Sequence, residues 1–154
     1  DHTHALPALR AIQAGKHVYC EKPLTWSIEE ARVLAEATAQ KKVATQMGNQ
    51  GHANQGTRIV VEWIRDGAIG DVKEVHTWTN RPVWAQGNLQ RGASKPVPAN
   101  LNWDAWIGPA PMREFHDGLH GFGWRGWFEF GCGAVGDMGC HTWDNVFWAM
   151  NPDY

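Results

Sequence analysis

The amino-acid sequence predicts an α/β protein: a partial parallel sheet over the first third of the chain, then a second region of different construction. Three observations predict it. Helix-like and strand-like runs alternate up to residue 50, that rhythm is lost beyond it, and the two stretches richest in chemistry lie on opposite sides of the change. One of them is Cys20-Glu21-Lys22-Pro23, at the end of a strand-like run. The other is Gly131-Cys132-Gly133-Ala134-Val135-Gly136-Asp137-Met138-Gly139-Cys140-His141, a glycine-rich turn that opens a helix.

Leu6, Leu9 and Ile12 recur at helical spacing and predict a first helix over 5–14, with Gly15 placed as its left-handed stop. His17-Val18-Tyr19-Cys20 is a short buried-strand candidate. Ser27-Ile28-Glu29-Glu30 forms a capping box at the start of a second helix, whose apolar stripe is Ile28, Ala31, Leu34 and Ala35. A second strand is expected at Val43–Met47, ending at Gly48. Strands alternating with helices imply parallel pairing. Two strands are too few for a doubly wound domain, so the chain is expected to be a piece of a longer protein.

Beyond residue 50, Ile59, Val60, Trp63 and Ile64 predict a third helix that stops at Asp66-Gly67. Over 72–81, Val75, Thr77 and Thr79 alternate with His76 and Trp78, the pattern of a half-buried antiparallel strand. Residues 82–126 are rich in Pro, Gly, Asn and Trp and show little periodicity. A final helix is expected from about Val135 to Met150. The domain reading is 1–50 and 51–154.

Composition excludes several classes. A net charge of −2 argues against nucleic acid or an anionic membrane as the main partner. Apolar runs are only a few residues long, too short to span a bilayer. The three cysteines form no C-x-x-C pair, which fits reduced thiols. His2, His4, Cys132, Cys140 and His141 are possible ligands, but no C-x-x-C or H-x3-H pair organises them into a tetrahedral zinc set, so no metal is expected. Ten Trp are unusual. Trp84, Trp103, Trp106, Trp124 and Trp127 lie in Gly/Pro-rich segments, where aromatic faces either pack or line a carbohydrate or cofactor pocket.

Two segments match G-x-G-x-x-G literally, Gly121–Gly126 and Gly131–Gly136. A dinucleotide phosphate loop follows a strand and opens a helix. The first match has no strand before it. The second could follow a strand at Trp127–Phe130, but it carries Asp137 at the helix start, where pyrophosphate needs positive potential. Neither is read as the phosphate loop.

Asp137 and His141 are four residues apart and share one helix face. With Lys22 they supply an ammonium, a carboxylate and an imidazole for chemistry on a polar substrate. Glu21-Lys22-Pro23 after Gly15-Lys16-His17-Val18, together with Trp124-Arg125 and Gly131-x-Gly133-Ala134-x-x-Asp137-x-Gly139-x-His141, resembles the Gfo/Idh/MocA family of glucose–fructose oxidoreductase and inositol dehydrogenase relatives. Cys132 departs from the family's usual middle Gly. Gly48–His52 and Trp103–Pro111 resemble a bacterial subgroup of it.

The resemblance implies the C-terminal part of a Rossmann-type dinucleotide-binding domain, followed by the start of an α+β domain with a large open sheet. It implies NAD or NADP as cofactor and a sugar, cyclitol or related polyol as substrate. It also implies a homo-oligomer when full length and a cytoplasmic location, or a periplasmic one if an upstream twin-arginine signal exists. On this reading His141 is the general base and Lys22 holds the reacting oxygen. Asp137 accepts hydrogen bonds from substrate hydroxyls. Glu21, Pro23, His4, Asn49, Trp124 and Arg125 are the candidate cofactor contacts. A base with an ordinary histidine pKa gives an ascending pH limb at roughly 6–7.5. Two other functions stay open: an NAD-dependent glycosidase that oxidises its sugar transiently, and a non-catalytic sugar-binding relative.

Overall fold

The structure, a computed structural model, describes residues 1–87 and 89–151. Its first part is built from α1 (Ala5–Gln13), β1 (Val18–Glu21), α2 (Ile28–Lys41) and β2 (Thr45–Gly48). The two strands pair in parallel, with Val18 opposite Thr45 and Glu21 opposite Gly48. Both predicted strands are therefore present, each displaced by a residue or two toward its C-terminal end. Lys22 and Asn49, the next residues along, leave the sheet side by side.

Local signals decide where the helices begin and end. Gly15 has φ +73°. Its amide reaches the Ile12 carbonyl at 2.8 Å, while the Lys16 amide reaches Ala11 at 3.0 Å. That bond pair is a Schellman stop, which only a residue tolerant of left-handed dihedrals completes cheaply. The capping box is complete: Glu30 N–H donates to Ser27 Oγ at 3.2 Å, and Ser27 N–H donates to Glu30 Oε2 at 3.1 Å. The buried face of α1 is rotated slightly from the expected one: Ile12 is buried and Leu9 packs on the core as expected, but Leu6 turns outward. Ala5, Ala8 and Ile12 face the core and Leu6 is 51% exposed. Small alanines on the inner face let α1 lie close to α2, and Ile12 fills the space against Leu34 and Val18. In α2 only Leu34 of the expected stripe is buried, and Ile28 faces solvent.

After one 3-10 turn (Gln50–Ala53), α3 (Gln55–Arg65) is capped by Asn54, whose Oδ1 accepts from Gly56 N–H at 2.8 Å. It packs on α6 (Asp144–Met150), and the Arg65 guanidinium caps the far end through the Trp148 and Asn151 carbonyls. The final helix is not continuous. It is α5 (Gly133–Thr142) followed by α6, the two meeting at Trp143.

The expected strand over 72–81 does not form. No described residue outside β1 and β2 takes part in a sheet, and Trp78 is 82% exposed. Alternation makes a segment fit to be a strand, but a ladder needs a neighbour, and none of the described residues supplies one.

The Trp-rich stretch forms a core of its own. Trp103 and Ile107 of the short α4 (Trp103–Ile107) bury against Phe115, Leu119 and Phe130, with Trp106, Trp124 and Trp127 packed around them. His2 is threaded into this cluster. Its ring nitrogens face the Phe130 carbonyl at 3.2 Å and the Ile107 carbonyl at 3.1 Å, and Trp106 and Phe130 flank the ring. The segment leading into α1 is thereby tied to α4 and to the turn before α5. Burial pushes the His2 pKa down, against the pull of those carbonyls.

Candidate functional site

Four side chains from two strand ends and one helix make the site. Lys22, just past β1, reaches α5 and donates to Asp137 Oδ1 at 2.5 Å and to the Asp137 carbonyl at 2.7 Å. Asn49, just past β2, reaches the same helix one turn later. Its Nδ2 donates to the Cys140 carbonyl at 2.6 Å, and its Oδ1 lies 2.7 Å from His141 Nδ1. The parallel register sets the two strand ends side by side, and the i, i+4 spacing sets Asp137 and His141 one turn apart. Each strand-end residue thus meets one helix residue. This lies at the carboxyl ends of parallel strands, where open α/β sheets take their ligands.

Donor and acceptor counting shows what remains open. An ammonium carries three donors. Two from Lys22 go to Asp137, so one is left for a ligand oxygen. Asp137 Oδ1 is occupied, but Asp137 Oδ2 is buried without a hydrogen-bond partner among the described residues. The Arg81 guanidinium stands 4.0 Å from that oxygen, too far for a hydrogen bond. A buried carboxylate oxygen with an unused lone pair is costly unless something donates to it.

Burial pushes the His141 pKa below its ordinary value. The Lys22 charge, and then Arg81, push the same way, while Asp137 and Asp144 oppose them. These influences together favour the neutral imidazole.

A cavity of about 530 Å³ opens beside these groups, and His4, Glu21, Lys22, Trp124, Arg125 and Asp137 all line it. Six of the nine residues expected from sequence thus share one wall system. Pro23, Asn49 and His141 do not line it. His141 sits one turn of α5 further on, and Asn49 lies behind it. The Pro23 carbonyl accepts from His4 Nδ1 at 2.6 Å, a bond that ties the start of α1 to the Lys22 turn. Arg125 is held over the rings of Phe122 and Trp124, at 4.3 and 4.4 Å to the centroids. The Glu21 carboxylate lies over Gly48, where a Cβ would come within 2.6 Å of Glu21 Oε2.

Asp1, His2, Thr3, Ala105 and Trp106 also line the cavity, and of these sequence reasoning pointed only to Trp106, as an aromatic residue that either packs or lines a pocket. It did not find Arg81. Asp1, His2 and Thr3 precede the first helix and Ala105 lies in the one-turn α4, places with no local signal of a site, and Arg81 comes from a segment read only as a strand. The aromatic residues divide: Trp106 and Trp124 face the cavity, Trp103 is core, and Trp84 is buried beside Phe122.

The glycine turn before α5 is not a phosphate loop. Residues 127–130 form a turn, with the Phe130 and Gly131 amides both bonded to the Trp127 carbonyl. Gly131 lies tight on the Arg125 backbone, where a Cβ would come within 2.5 Å of the Arg125 carbonyl oxygen. Two of the amides that a phosphate would seek are already used. Cys132 N–H donates to Asp1 Oδ2 at 2.9 Å, and Ala134 N–H donates to Gln86 Oε1 at 2.8 Å.

Residues 67–154, more than half of the chain, match the Gfo/Idh/MocA model described as "Oxidoreductase family, C-terminal alpha/beta domain". Residues 1–49 match the one described as "Oxidoreductase family, NAD-binding Rossmann fold". Inositol 2-dehydrogenase 3 of Saccharopolyspora erythraea is 37% identical over 82 residues, covering 53% of this chain and 24% of that protein. Levoglucosan dehydrogenase of Pseudarthrobacter phenanthrenivorans is 32% identical over 72 residues, 47% of this chain and 18% of its own length. The 2,7-anhydro-N-acetylneuraminate hydratase of Escherichia coli is 28% identical over 99 residues, 60% of this chain and 27% of that protein. The chain therefore spans roughly a fifth to a quarter of the length of these relatives. Its two matched segments and the residues they carry place it plainly: the chain belongs to the Gfo/Idh/MocA oxidoreductase family.

Proposed function

We propose that this chain carries the catalytic lysine, aspartate and histidine of a nicotinamide-dependent oxidoreductase acting on a secondary alcohol of a sugar, cyclitol or related polyol. The single observation that carries the reading is the Lys22–Asp137 contact at 2.5 Å, with one Lys22 donor and one Asp137 oxygen still unspent. A polyol offers the matching pair, one hydroxyl to receive the donor and a neighbouring hydroxyl to fill the acceptor.

The domain division near residue 50 belongs to this reading. Residues 1–50 bring the cofactor side and residues 51–154 the substrate side. The donor set suits the nicotinamide end of NAD or NADP: Glu21 is an acceptor for ribose hydroxyls, His4 flanks it, and Trp124 gives a flat face. When bound, the nicotinamide supplies the carbon that takes up or gives back the hydride. The rest is done by this chain. Lys22 Nζ donates to the reacting oxygen and stabilises its developing negative charge. His141 removes the hydroxyl proton. Asp137 Oδ2 accepts from an adjacent hydroxyl and fixes which carbon faces the nicotinamide.

A second reading is redox-neutral: transient oxidation, elimination or addition, then return of the hydride. One relative carries a hydratase name, and adding water involves no net redox change. The two readings part on a simple measurement, made with the intact protein, NAD+ or NADP+, and myo-inositol, levoglucosan or D-glucose. Net growth of reduced nicotinamide absorbance with at least one of them is the expected result. Consumption of a glycoside or anhydro-sugar with no net reduced nicotinamide supports the redox-neutral reading instead.

A further inference from the structure

Asn49 entered the sequence reading as a cofactor contact, but its hydrogen bonds point elsewhere. We infer that Asn49 is a positioning residue that sets the tautomer of His141, making Nε2 the proton-accepting atom; the catalytic weight of this rests on the proposed role of His141 as base.

One atom in this contact set has no ambiguity. A backbone carbonyl oxygen can only accept. The Asn49 amide atom 2.6 Å from the Cys140 carbonyl is therefore the NH2 group, and the orientation of the whole amide follows from it. Cys140 lies in the last turn of α5, where carbonyls take partners from outside the helix. With NH2 so placed, Oδ1 is the atom that faces His141. An amide oxygen carries no hydrogen, so the 2.7 Å contact is a bond only if His141 Nδ1 is the donor. Neutral imidazole has one N–H. With it on Nδ1, Nε2 holds the lone pair, and partners of this kind decide which ring nitrogen is basic.

The geometry is over-determined. Asn49 follows β2 directly, and its own amide donates to the Met47 carbonyl at 3.0 Å. Its two side-chain bonds land on consecutive residues of one helix. Besides burial, the charged groups facing His141 act on its pKa: Lys22 and Arg81 from other segments push it down, while Asp137 on its own helix and Asp144 on α6 push it up. None of them dictates the tautomer through Nδ1. Asn49 does.

The test needs no substrate. In the intact protein labelled with 15N-histidine, long-range 1H–15N correlation at neutral pH should show His141 with a protonated Nδ1 and an unprotonated Nε2. Asn49→Leu, similar in volume but without polar atoms, should shift His141 toward the Nε2–H form. Asn49→Asp keeps an acceptor at Nδ1 and adds a negative charge. It should retain the Nδ1–H form and move the His141 titration midpoint upward. A residue that only braced α5 would change stability and leave the tautomer alone. An Nε2–H form in the wild type overturns the inference, even if the Leu variant does not fold, and so does an unchanged tautomer in a folded Asn49→Leu. If the tautomer is as stated but turnover keeps its pH limb in His141→Asn, the base assignment fails while the role of Asn49 stands.

Discussion

Replacing Lys22 by methionine is expected to lower turnover by ~10²–10³-fold, the span seen when a donor to a developing oxyanion is lost. Methionine keeps most of the stem and removes all three donors. Two consequences follow from the geometry. The reacting oxygen loses its donor, and Asp137 loses the cation held 2.5 Å away, leaving a buried carboxylate with only Arg81 nearby. Affinity for NAD+ or NADP+ should change little, because Lys22 meets the reacting end of the site. Steady-state rates together with calorimetric cofactor titration check both halves. Turnover near wild type would remove Lys22 from the mechanism, and a parallel loss of cofactor affinity would make it a binding residue instead.

His141→Asn is expected to abolish most oxidation activity and, with it, the ascending limb of the kcat/KM profile. The sign is straightforward. A base works unprotonated, so activity rises as pH climbs through its pKa. Burial and the Lys22 charge hold the His141 pKa below the ordinary 6.5, so the wild-type limb should lie on the acid side of that value. Lys22→Met removes the second of those influences, and the residual activity should show its limb displaced toward higher pH. A limb unchanged in His141→Asn would assign the proton to another group.

The parts of the site that the sequence made visible are those written in local spacing. Asp137 and His141 are one helix turn apart by count alone, and Glu21-Lys22-Pro23 sits where a strand stops. The capping box and the Gly15 stop are likewise complete within a few residues, and both are present. What stayed hidden depends on who stands beside whom. Asn49 meets His141 only because β2 ends next to β1, and no periodicity along the chain states that register. Arg81 comes near Asp137 from an extended segment with no local signal of direction. The face of α1 was misjudged in part, for a related reason. Leu6-Leu9 and Ala5-Ala8 repeat at the same spacing, and only the close approach of α2 selects the alanines for the inside. The break at Trp143 has neither Gly nor Pro to announce it. Over 72–81 the alternation was real, but it needed a partner strand to become structure.

The central claim is that Lys22, Asp137 and His141 serve a hydride transfer from a carbinol carbon. Isotope transfer tests it most directly. The intact protein is incubated with NAD+ or NADP+ and with myo-inositol, levoglucosan or D-glucose bearing deuterium on ring carbinol carbons. For whichever of these is turned over, mass and NMR analysis of the nicotinamide is expected to show deuterium at C4 in the wild type and almost none in Lys22→Met. Turnover with all of the label left on the sugar carbon, or washed into water without ever appearing on the nicotinamide, would contradict the account.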